Sequence, residues 1–551
     1  MIRIISCRLI LFIVIMFAAG CSGSSASALH FRFNHAGYFP EGFKEAIIFS
    51  SSEIAGSKVK MISAGSGKTV KEFTLRNNRG TWGKFRYHYA VTFSDIKQKG
   101  EYYLQIDKVR SDNFTIGNEK YHTLLPQVLD FFRIQRCGPT NPHLHGVCHL
   151  YDSYKIVGDE AFGNVDVTGG WHDAGDYIKF TNTTAVSAYL LALSYVLNPS
   201  LHEKDINKNG APDILEEIKV ALDWLLRCNY AEGKLITQVQ DMRDHDVGWR
   251  LPENDTLKFD RPAYKGEGKN IYGIYSAVMA LGAKIWSSRL NEKEFAEKCR
   301  AAAEKFYSAA SSVPDIDVAF TGMYQDKSHQ GKMLLGALEL YNLTGRQKYH
   351  DDAKRMSSGL QPDYWWSWGD LNALASFRSA QLVKTGTAVL EINLGGFNKA
   401  KDNTVYGDAG VYTWGTTTTL FGIAAKAMMY RFLNSANTYD TLAIRQFDYI
   451  FGKNPWGKSF VVGLGSSSVR YLHSQIGYFN NNNLPGGIAA GPATTEMLKN
   501  YNITRKNFAG QEFNSSEVAY YDDRDDYVTN EPAIITNATA VFAMTLLLTY
   551  Y

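Results

Sequence analysis

The hydrophobic period of this chain changes once, from two to about 3.6 near residue 120, and this forces two unlike architectures into one polypeptide. From Leu29 to Gly117, runs rich in Phe, Tyr, Ile and Val are broken by Gly, Ser and Asn clusters. The runs fall at His30–Asn34, Ala46–Phe49, Lys58–Ile62, Val70–Leu75, Tyr87–Phe93, Tyr102–Ile106 and Asn113–Ile116. Seven short alternating strands in so little chain predict a β-sandwich of immunoglobulin type, and without a Cys pair its core must be held by packing alone. After Tyr121, apolar residues recur at i, i+3 and i+4 in ten stretches: Tyr121–Arg136, Thr184–Leu197, Asp213–Asn229, Ile271–Ser287, Lys293–Ala310, His329–Asn342, Leu371–Lys384, Tyr412–Leu433, Thr441–Phe451 and Pro532–Tyr550. No convincing strand lies between them, so an all-α domain is expected. An (α/α) toroid of inner and outer helices accounts for it. A solenoid of helix pairs would too, but no repeat of fixed period supports one.

The first residues read differently. Arg3 and Arg8 precede the apolar run Leu9–Ala19, too short for a structural span and suited to a signal peptide. Ala18-Ala19-Gly20-Cys21 then resembles a bacterial lipoprotein cleavage site, which would make 1–21 the signal, Cys21 the lipidated residue and 22–28 a linker. Ala18 stands where Leu is more usual, and an ordinary secretory signal is the alternative. No later run reads as apolar enough to cross a membrane, so contact with one is expected only through that anchor. A net charge of +3 on 551 residues carries no nucleic-acid footprint. The high aromatic share suits an uncharged ligand with flat apolar faces, such as a sugar.

The chemistry concentrates in Gly169-Gly170-Trp171-His172-Asp173-Ala174-Gly175-Asp176. Only Ala and Gly separate its two carboxylates, so both can turn to one side of a tight loop and grip one water, as a metal-free hydrolase requires. A D-x-x-D alone also serves as a cap or turn. Long polar loops (238–264, 361–369, 459–497 and 506–530) are where function would gather. Trp365 and Trp414 are candidate stacking platforms for sugar rings, although tryptophan more often serves packing. Asp205, Asn207, Asn209, Ala211 (through its carbonyl), Asp213 and Glu216 have the spacing of a twelve-residue Ca²⁺ loop, with Gly210 at the turn. Pro212 departs from that pattern, and a polar inter-helix loop is the rival. Cys137, Cys148 and His149 are soft ligands suited to Zn²⁺, with His172 as the fourth and Asp152 or His145 as alternatives. A Cys137–Cys148 disulfide competes with that reading. Cys228 and Cys299 read as buried small hydrophobes.

Five motifs then occur in order: Asn34-His35-Ala36-Gly37-Tyr38 with Pro40, Gln135-Arg136-Cys137-Gly138, His145-Gly146-Val147-Cys148-His149, the D-A-G-D segment, and Asn530-Glu531. With these the chain, from about Phe31 to Tyr551, resembles glycoside hydrolase family 9, the inverting β-1,4-glucanases, preceded by that family's immunoglobulin-like module. The resemblance implies an (α/α)6 barrel over 118–551 and a sandwich over 29–117. It implies Asp176 as general base, Asp173 as a second holder of the water, and Glu531 as general acid. Inversion needs acid and base about 6.5–9.5 Å apart on opposite faces of the sugar, which neighbours in a D-x-x-D cannot supply. Pro532 suggests that Glu531 opens a helix, where the dipole favours the ionised form, so burial and the Asp pair would have to prevail. His473 keeps the family's substrate-binding histidine, while Gln475 stands where Arg is expected. Asp525, Asp526 and Tyr527 are expected to line the same subsite.

The family also supports calcium near residue 205. The expected protein is an exported, membrane-anchored bacterial lipoprotein, a monomer, acting endo on a β-glucan: amorphous cellulose, mixed-linkage glucan or xyloglucan. One rival is an exo-acting member that releases glucosamine or a disaccharide from chain ends. Another is a non-catalytic surface glycan-binding lipoprotein, against which the intact Asp173, Asp176 and Glu531 argue.

Overall fold

The computed structural model describes residues 28–317, 323–362 and 366–551. The signal and lipidation expectations, apart from the end of the linker, lie outside these residues, as does Trp365.

The N-terminal domain is a β-sandwich. One sheet has the order β1-β2-β5 (His30–Arg32, Glu45–Ser50, Tyr87–Thr92). The other runs β4-β3-β6 (Thr69–Thr74, Lys58–Ser63, Gly100–Ile106), and its β6 also pairs β7 (Val109–Arg110) and β8 (Phe114–Ile116). The period-two reading located every strand except β7. Strand β2 is buried on both faces, and the alternation of its side chains divides it between two cores. Ala46 and Ile48 enter the sandwich core with Val59, Met61, Leu104 and Phe114. Ile47 and Phe49 enter the core of the helical domain.

The helical domain is an (α/α)6 barrel. Twelve long helices appear among the described residues: α1 Glu119–Gln135, α2 Thr181–Leu197, α3 Asp213–Cys228, α4 Lys269–Ser288, α5 Lys293–Ala309, α6 Gln330–Thr344, α7 Gln347–Ser358, α8 Asn372–Val383, α9 Ala388–Ala400, α10 Thr416–Asn434, α11 Asp440–Ile450 and α12 Ile534–Leu548. Even-numbered helices are buried around most of their circumference, and each packs on the next to close the ring α2–α4–α6–α8–α10–α12–α2. Small residues such as Ala185, Ala188, Ala424, Ala425 and Ala427 allow that close approach. Odd-numbered helices are amphipathic and form the outer ring. The exception is α11, buried along nearly its whole length, with Asp448 and Arg445 bound to Asn34 and Glu45 of the N-terminal domain. Periodicity located ten of the twelve; α7 and α9, polar or glycine-bearing, were not marked.

Two expectations need correction. The helical domain contains strands: β9 Ile156–Val157, β10 Lys179–Phe180, β11 Leu235–Val239 and β12 Ala263–Gly266 form one small sheet in the order β10-β11-β12-β9. They are too short to show a period. Among the described residues, one later stretch is also apolar enough to cross a membrane: within Tyr527–Leu548 an 18-residue window has a mean hydropathy of 1.4. Of that window 89% is buried, and every residue of α12 is buried, so α12 is a core helix.

Because inner and outer helices alternate, all inner helices run in one direction. The segments just before them, including Asp173–Asp176, Tyr324–Asp326, Trp414 and Glu531, therefore gather at one end of the barrel.

Candidate active site

The D-A-G-D loop is tied down by its backbone. Asp173 N donates to Ile178 O at 2.9 Å, and Gln135 Nε2 donates to Ala174 O at 2.6 Å. Gly175 is required by close approach: a Cβ there would stand 2.0 Å from the carbonyl oxygen of His473. Asp173 is 1% and Asp176 7% exposed. Thr183, in the first turn of α2, donates to Asp173 Oδ1, while Oδ2 takes no hydrogen bond from the described residues. The Tyr324 phenol stands beside it. Burial pushes the Asp173 carboxyl up to about 7, the Asp176 charge adding to the rise and Thr183 and Tyr324 opposing it.

Asp176 is bound through both carboxylate oxygens. Its Oδ1 accepts from Ile178 N at 3.0 Å, and its Oδ2 lies 2.8 Å from His245 Nε2. The bond to Asp176 is the main reason that His245 titrates near 9.

Glu531 reaches the same loop from the opposite side, its Oε1 accepting from Gly175 N at 3.3 Å. The expectation that it opens a helix is corrected here. Ala533 caps α12, and Glu531 closes the short turn Tyr527–Asn530 with an extended backbone, φ −71° and ψ 123°. A residue before proline is driven to that conformation. Outside the first turn, Glu531 escapes most of the dipole. Burial, then the Asp176 charge, raise its carboxyl to about 8, against the Gly175 N–H and His245. The two facing carboxyl groups therefore differ in the way that acid and base catalysis needs: Asp176 is paired with a cation and Glu531 holds its proton.

Around them runs a strip of aromatic rings. Trp414 is 40% exposed, with its ring centroid 5.7 Å from that of Tyr527. Tyr527 lies 5.7 Å from His473, His473 5.1 Å from Trp249, and Trp249 5.4 Å from Tyr478. His473 Nδ1 is bound to Arg524 O at 2.7 Å, and its backbone N donates to Asn530 O, beside Glu531. Gln475 is buried, and its Oε1 accepts from Arg250 N at 3.0 Å, so it orders the 250 loop. Asp526 does not line the site. It is fully buried, accepts from Arg505 Nε at 2.6 Å and caps the turn before Glu531. Asp525 pairs with Lys506. Four site residues went unmarked in the sequence: His245, Tyr324, Trp249 and Tyr478. Each is a single residue with no spacing to betray it; for His245 and Trp249 the polar, aromatic-bearing 238–264 loop is the only signal, and for Tyr478 the 459–497 loop.

Behind the loop, Cys137, Cys148, His149 and His172 are all buried, and their four donor atoms lie within 4.8 Å of one another. Both cysteines are free thiols, against a disulfide. His149 Nδ1 faces His172 Nε2 at 3.1 Å, with the Cys137 and Cys148 sulfurs at 3.6 and 3.9 Å from one ring or the other. Two thiols and two imidazole nitrogens converging on one point suit a closed tetrahedral Zn²⁺ site, and His149 Nε2 has the carboxylate support typical of such ligands, 3.1 Å from Asp255. Of the alternatives, Asp152 borders the cluster, its Oδ2 3.8 Å from the Cys137 sulfur, but its carboxylate is held by Arg261 at 2.6 Å and Lys179 at 2.5 Å, and both His145 ring nitrogens face carbonyl oxygens. In the 205–216 loop, Asp205 accepts from Gly210 N at 2.8 Å and Asp213 from Ile206 N at 3.0 Å. The Asn207 and Asn209 amides donate to Glu216, so the oxygens form one hydrogen-bonded cluster, with Arg133 on Asn207.

Comparison with known proteins agrees with this architecture. The profile of Glycosyl hydrolase family 9 matches residues 121–544, and that of the cellulase N-terminal ig-like domain matches 26–111. Endoglucanase D of Acetivibrio thermocellus is 25% identical, covering 83% of this chain and 74% of its own. A xyloglucan-specific endo-beta-1,4-glucanase of Bacteroides ovatus is 25% identical over 93% of this chain and 92% of its own. The crystal structure of a metagenome-derived family 9 endoglucanase superposes with a TM-score of 0.79 at 27% identity, covering 94% of this chain and 98% of that one.

Proposed function

Since the chain belongs to glycosyl hydrolase family 9, we propose that it is an inverting endo-β-1,4-glucanase acting on soluble or amorphous β-glucans. The observation that carries the assignment is the contrast across one loop between Asp176, paired with His245, and the buried Glu531, whose carboxyl is raised to about 8. In this reading Asp176 Oδ2 removes a proton from a water that Asp173 helps to hold. The water oxygen attacks the anomeric carbon, and the Glu531 proton passes to the departing glycosidic oxygen, so configuration inverts. Trp414, Tyr527, His473 and Trp249 supply apolar faces and hydrogen bonds to consecutive sugars. The B. ovatus relative's name makes xyloglucan the first polymer to test.

Zn²⁺ on Cys137, Cys148, His149 and His172 is assigned a structural role: it would tie the end of α1 to the loop carrying Asp173. Ca²⁺ is assigned to the loop of Asp205, Asn207, Asn209, Ala211, Asp213 and Glu216, where ligation would replace the amide bonds to Glu216. The protein is further proposed to be an exported, monomeric lipoprotein anchored through Cys21, which palmitate labelling of the wild type and Cys21→Ser would test.

The deciding experiment is reducing-end release from carboxymethylcellulose, barley β-glucan, xyloglucan and chito-oligosaccharides, beside Glu531→Gln. Release by the wild type that Glu531→Gln loses, with an α-anomeric first product, supports the assignment. A folded wild type that releases nothing overturns it.

A further inference from the structure

Tyr324 adopts φ +52°, a left-handed conformation that a bulky aromatic residue takes only when its surroundings impose it. Its phenol stands among Asp173, Asp176 and Glu531, where burial and then their charges keep it protonated. What imposes the conformation lies one layer further in. The carbonyl of Tyr324 accepts from Asn182 Nδ2 at 3.4 Å, and its ring is edged by Phe180 and Trp368, with centroids at 5.0 and 4.7 Å. The same Asn182 Nδ2 donates to Asp326 Oδ1 at 3.1 Å, and Asn182 Oδ1 accepts from Lys332 Nζ at 2.6 Å. Lys332 and Asp326 form an ion pair with side chains only 2% and 0% exposed, and Asn270 Nδ2 completes the Asp326 carboxylate at 2.8 Å.

This is an unusual place for a lysine. It sits in the first turn of α6, where the helix dipole repels a cation, and it is cut off from water. Among the described residues, the hydrogen bonds of the pair join the starts of three inner helices, α2 (Asn182), α4 (Asn270) and α6 (Lys332). The residue after Asn182 is Thr183, which holds Asp173. One turn of α2 therefore fixes both Asp173 and the peptide of Tyr324.

We propose that the buried Lys332–Asp326 pair is a positioning device, which through Asn182 holds Tyr324 in its left-handed conformation and so fixes its phenol over Asp173. The inference rests on the hydrolase assignment above and names the residues that set the water-holding geometry of that site. Lys332 and Asp326 touch no substrate. They act through Tyr324.

The test is a double-mutant cycle on barley β-glucan hydrolysis, with Asn182→Ala and Lys332→Met made singly and in a Tyr324→Phe background. The expected result is that each single variant lowers kcat about 10- to 100-fold with KM within about twofold, and that neither costs more than about twofold once Tyr324 is Phe. A merely structural role would give equal losses in both backgrounds. Equal losses, a change confined to KM, or full activity of Asn182→Ala would each overturn the proposal while leaving the hydrolase assignment standing. Should Lys332→Met fail to fold, Asn182→Ala, which leaves the ion pair intact, decides alone. A folded wild type without hydrolysis would instead remove the assignment on which the proposal stands.

Discussion

His245 Nε2 stands 2.8 Å from Asp176 Oδ2, the one ion pair that the candidate base makes among the described residues. His245 lies on the single helical turn Arg243–Asp246, next to Asp244, which Arg250 binds at 2.6 Å. The pairing keeps a positive charge beside Asp176 at neutral pH, since the imidazole is held up to about 9. Its contribution to stability is complete below about pH 6.5, the unfolded value, and is lost as pH rises through about 9. Replacing His245 by Ala removes a charge-assisted bond, so kcat/KM is expected to fall about 10- to 100-fold. Steady-state kinetics on a soluble β-glucan at pH 6 measures this; a loss under twofold would mean that the pair is incidental.

Glu531 should set the alkaline limb. Its proton, held to about 8, is needed on the leaving oxygen, so kcat/KM declines as pH rises through that value. Glu531→Gln is expected to lose about 10²- to 10⁴-fold in rate. The folded value exceeds the unfolded one, so the carboxyl's contribution to stability is full below about pH 4.5 and is lost as pH rises through about 8. The Gln variant should accordingly melt higher than the wild type at pH 9, and this gap should close toward pH 4. Calorimetry at the two pH values reads the sign directly.

Gly175→Ala places a methyl group 2.0 Å from the His473 carbonyl. Overpacking of this kind costs about 1–3 kcal/mol, and here it also pushes the His473 segment away from the base's loop. Activity should drop well over tenfold while the melting temperature falls by only a few degrees. An active, equally stable Gly175→Ala would show that the two loops separate freely.

Chelation should act on stability before chemistry. Elemental analysis is expected to return one zinc per chain, absent from Cys148→Ser. Removing a ligand bound at about 100 times its Kd costs about 2.7 kcal/mol, so the melting temperature should fall by several degrees. Zinc retained in Cys148→Ser would contradict the ligand set.

At the domain seam, Glu45 is buried against Lys453 Nζ at 2.9 Å, Arg79 Nη2 at 2.7 Å and Arg445 Nη2 at 3.4 Å. Burial alone would raise its carboxyl, but these cations draw it down to about 2. Its contribution to stability is therefore present above about pH 4.5 and lost as pH falls through about 2. Glu45→Ala leaves buried Lys453 with only the more distant Asp448 carboxylate, at 4.0 Å, at a cost of about 3–5 kcal/mol. Urea unfolding at pH 7 tests this, and a change below 1 kcal/mol would refute it.

Much of this was legible in the order of residues. Period two and period 3.6 are side-chain geometry, and they marked the sandwich and ten of twelve long helices. The D-A-G-D loop and Glu531 were readable because particular residue types must sit at particular spacings. The small sheet β9–β12 was not, because two to five residues carry no period. Glu531's backbone differs from the expectation although its cause is visible in the sequence: Pro532 does not open the helix but drives the residue before it to an extended conformation. Asp526 departs from the expectation for a related reason. A carboxylate near an active site in sequence can point inward to cap the turn that presents the site. His245 and Tyr324 depend on contacts across roughly 70 and 150 residues of sequence, which no local pattern records.

Strand β2 has its own consequence for how this protein can be cut. With Ala46 and Ile48 facing one core and Ile47 and Phe49 the other, the point at residue 117 where strands give way to helices divides the topology but not the folding unit. A barrel released there would present to water the seam that Ile47, Phe49 and Phe85 now cover, and would carry Lys453 and Arg445 without Glu45. The two halves should be made, purified and engineered as a single piece.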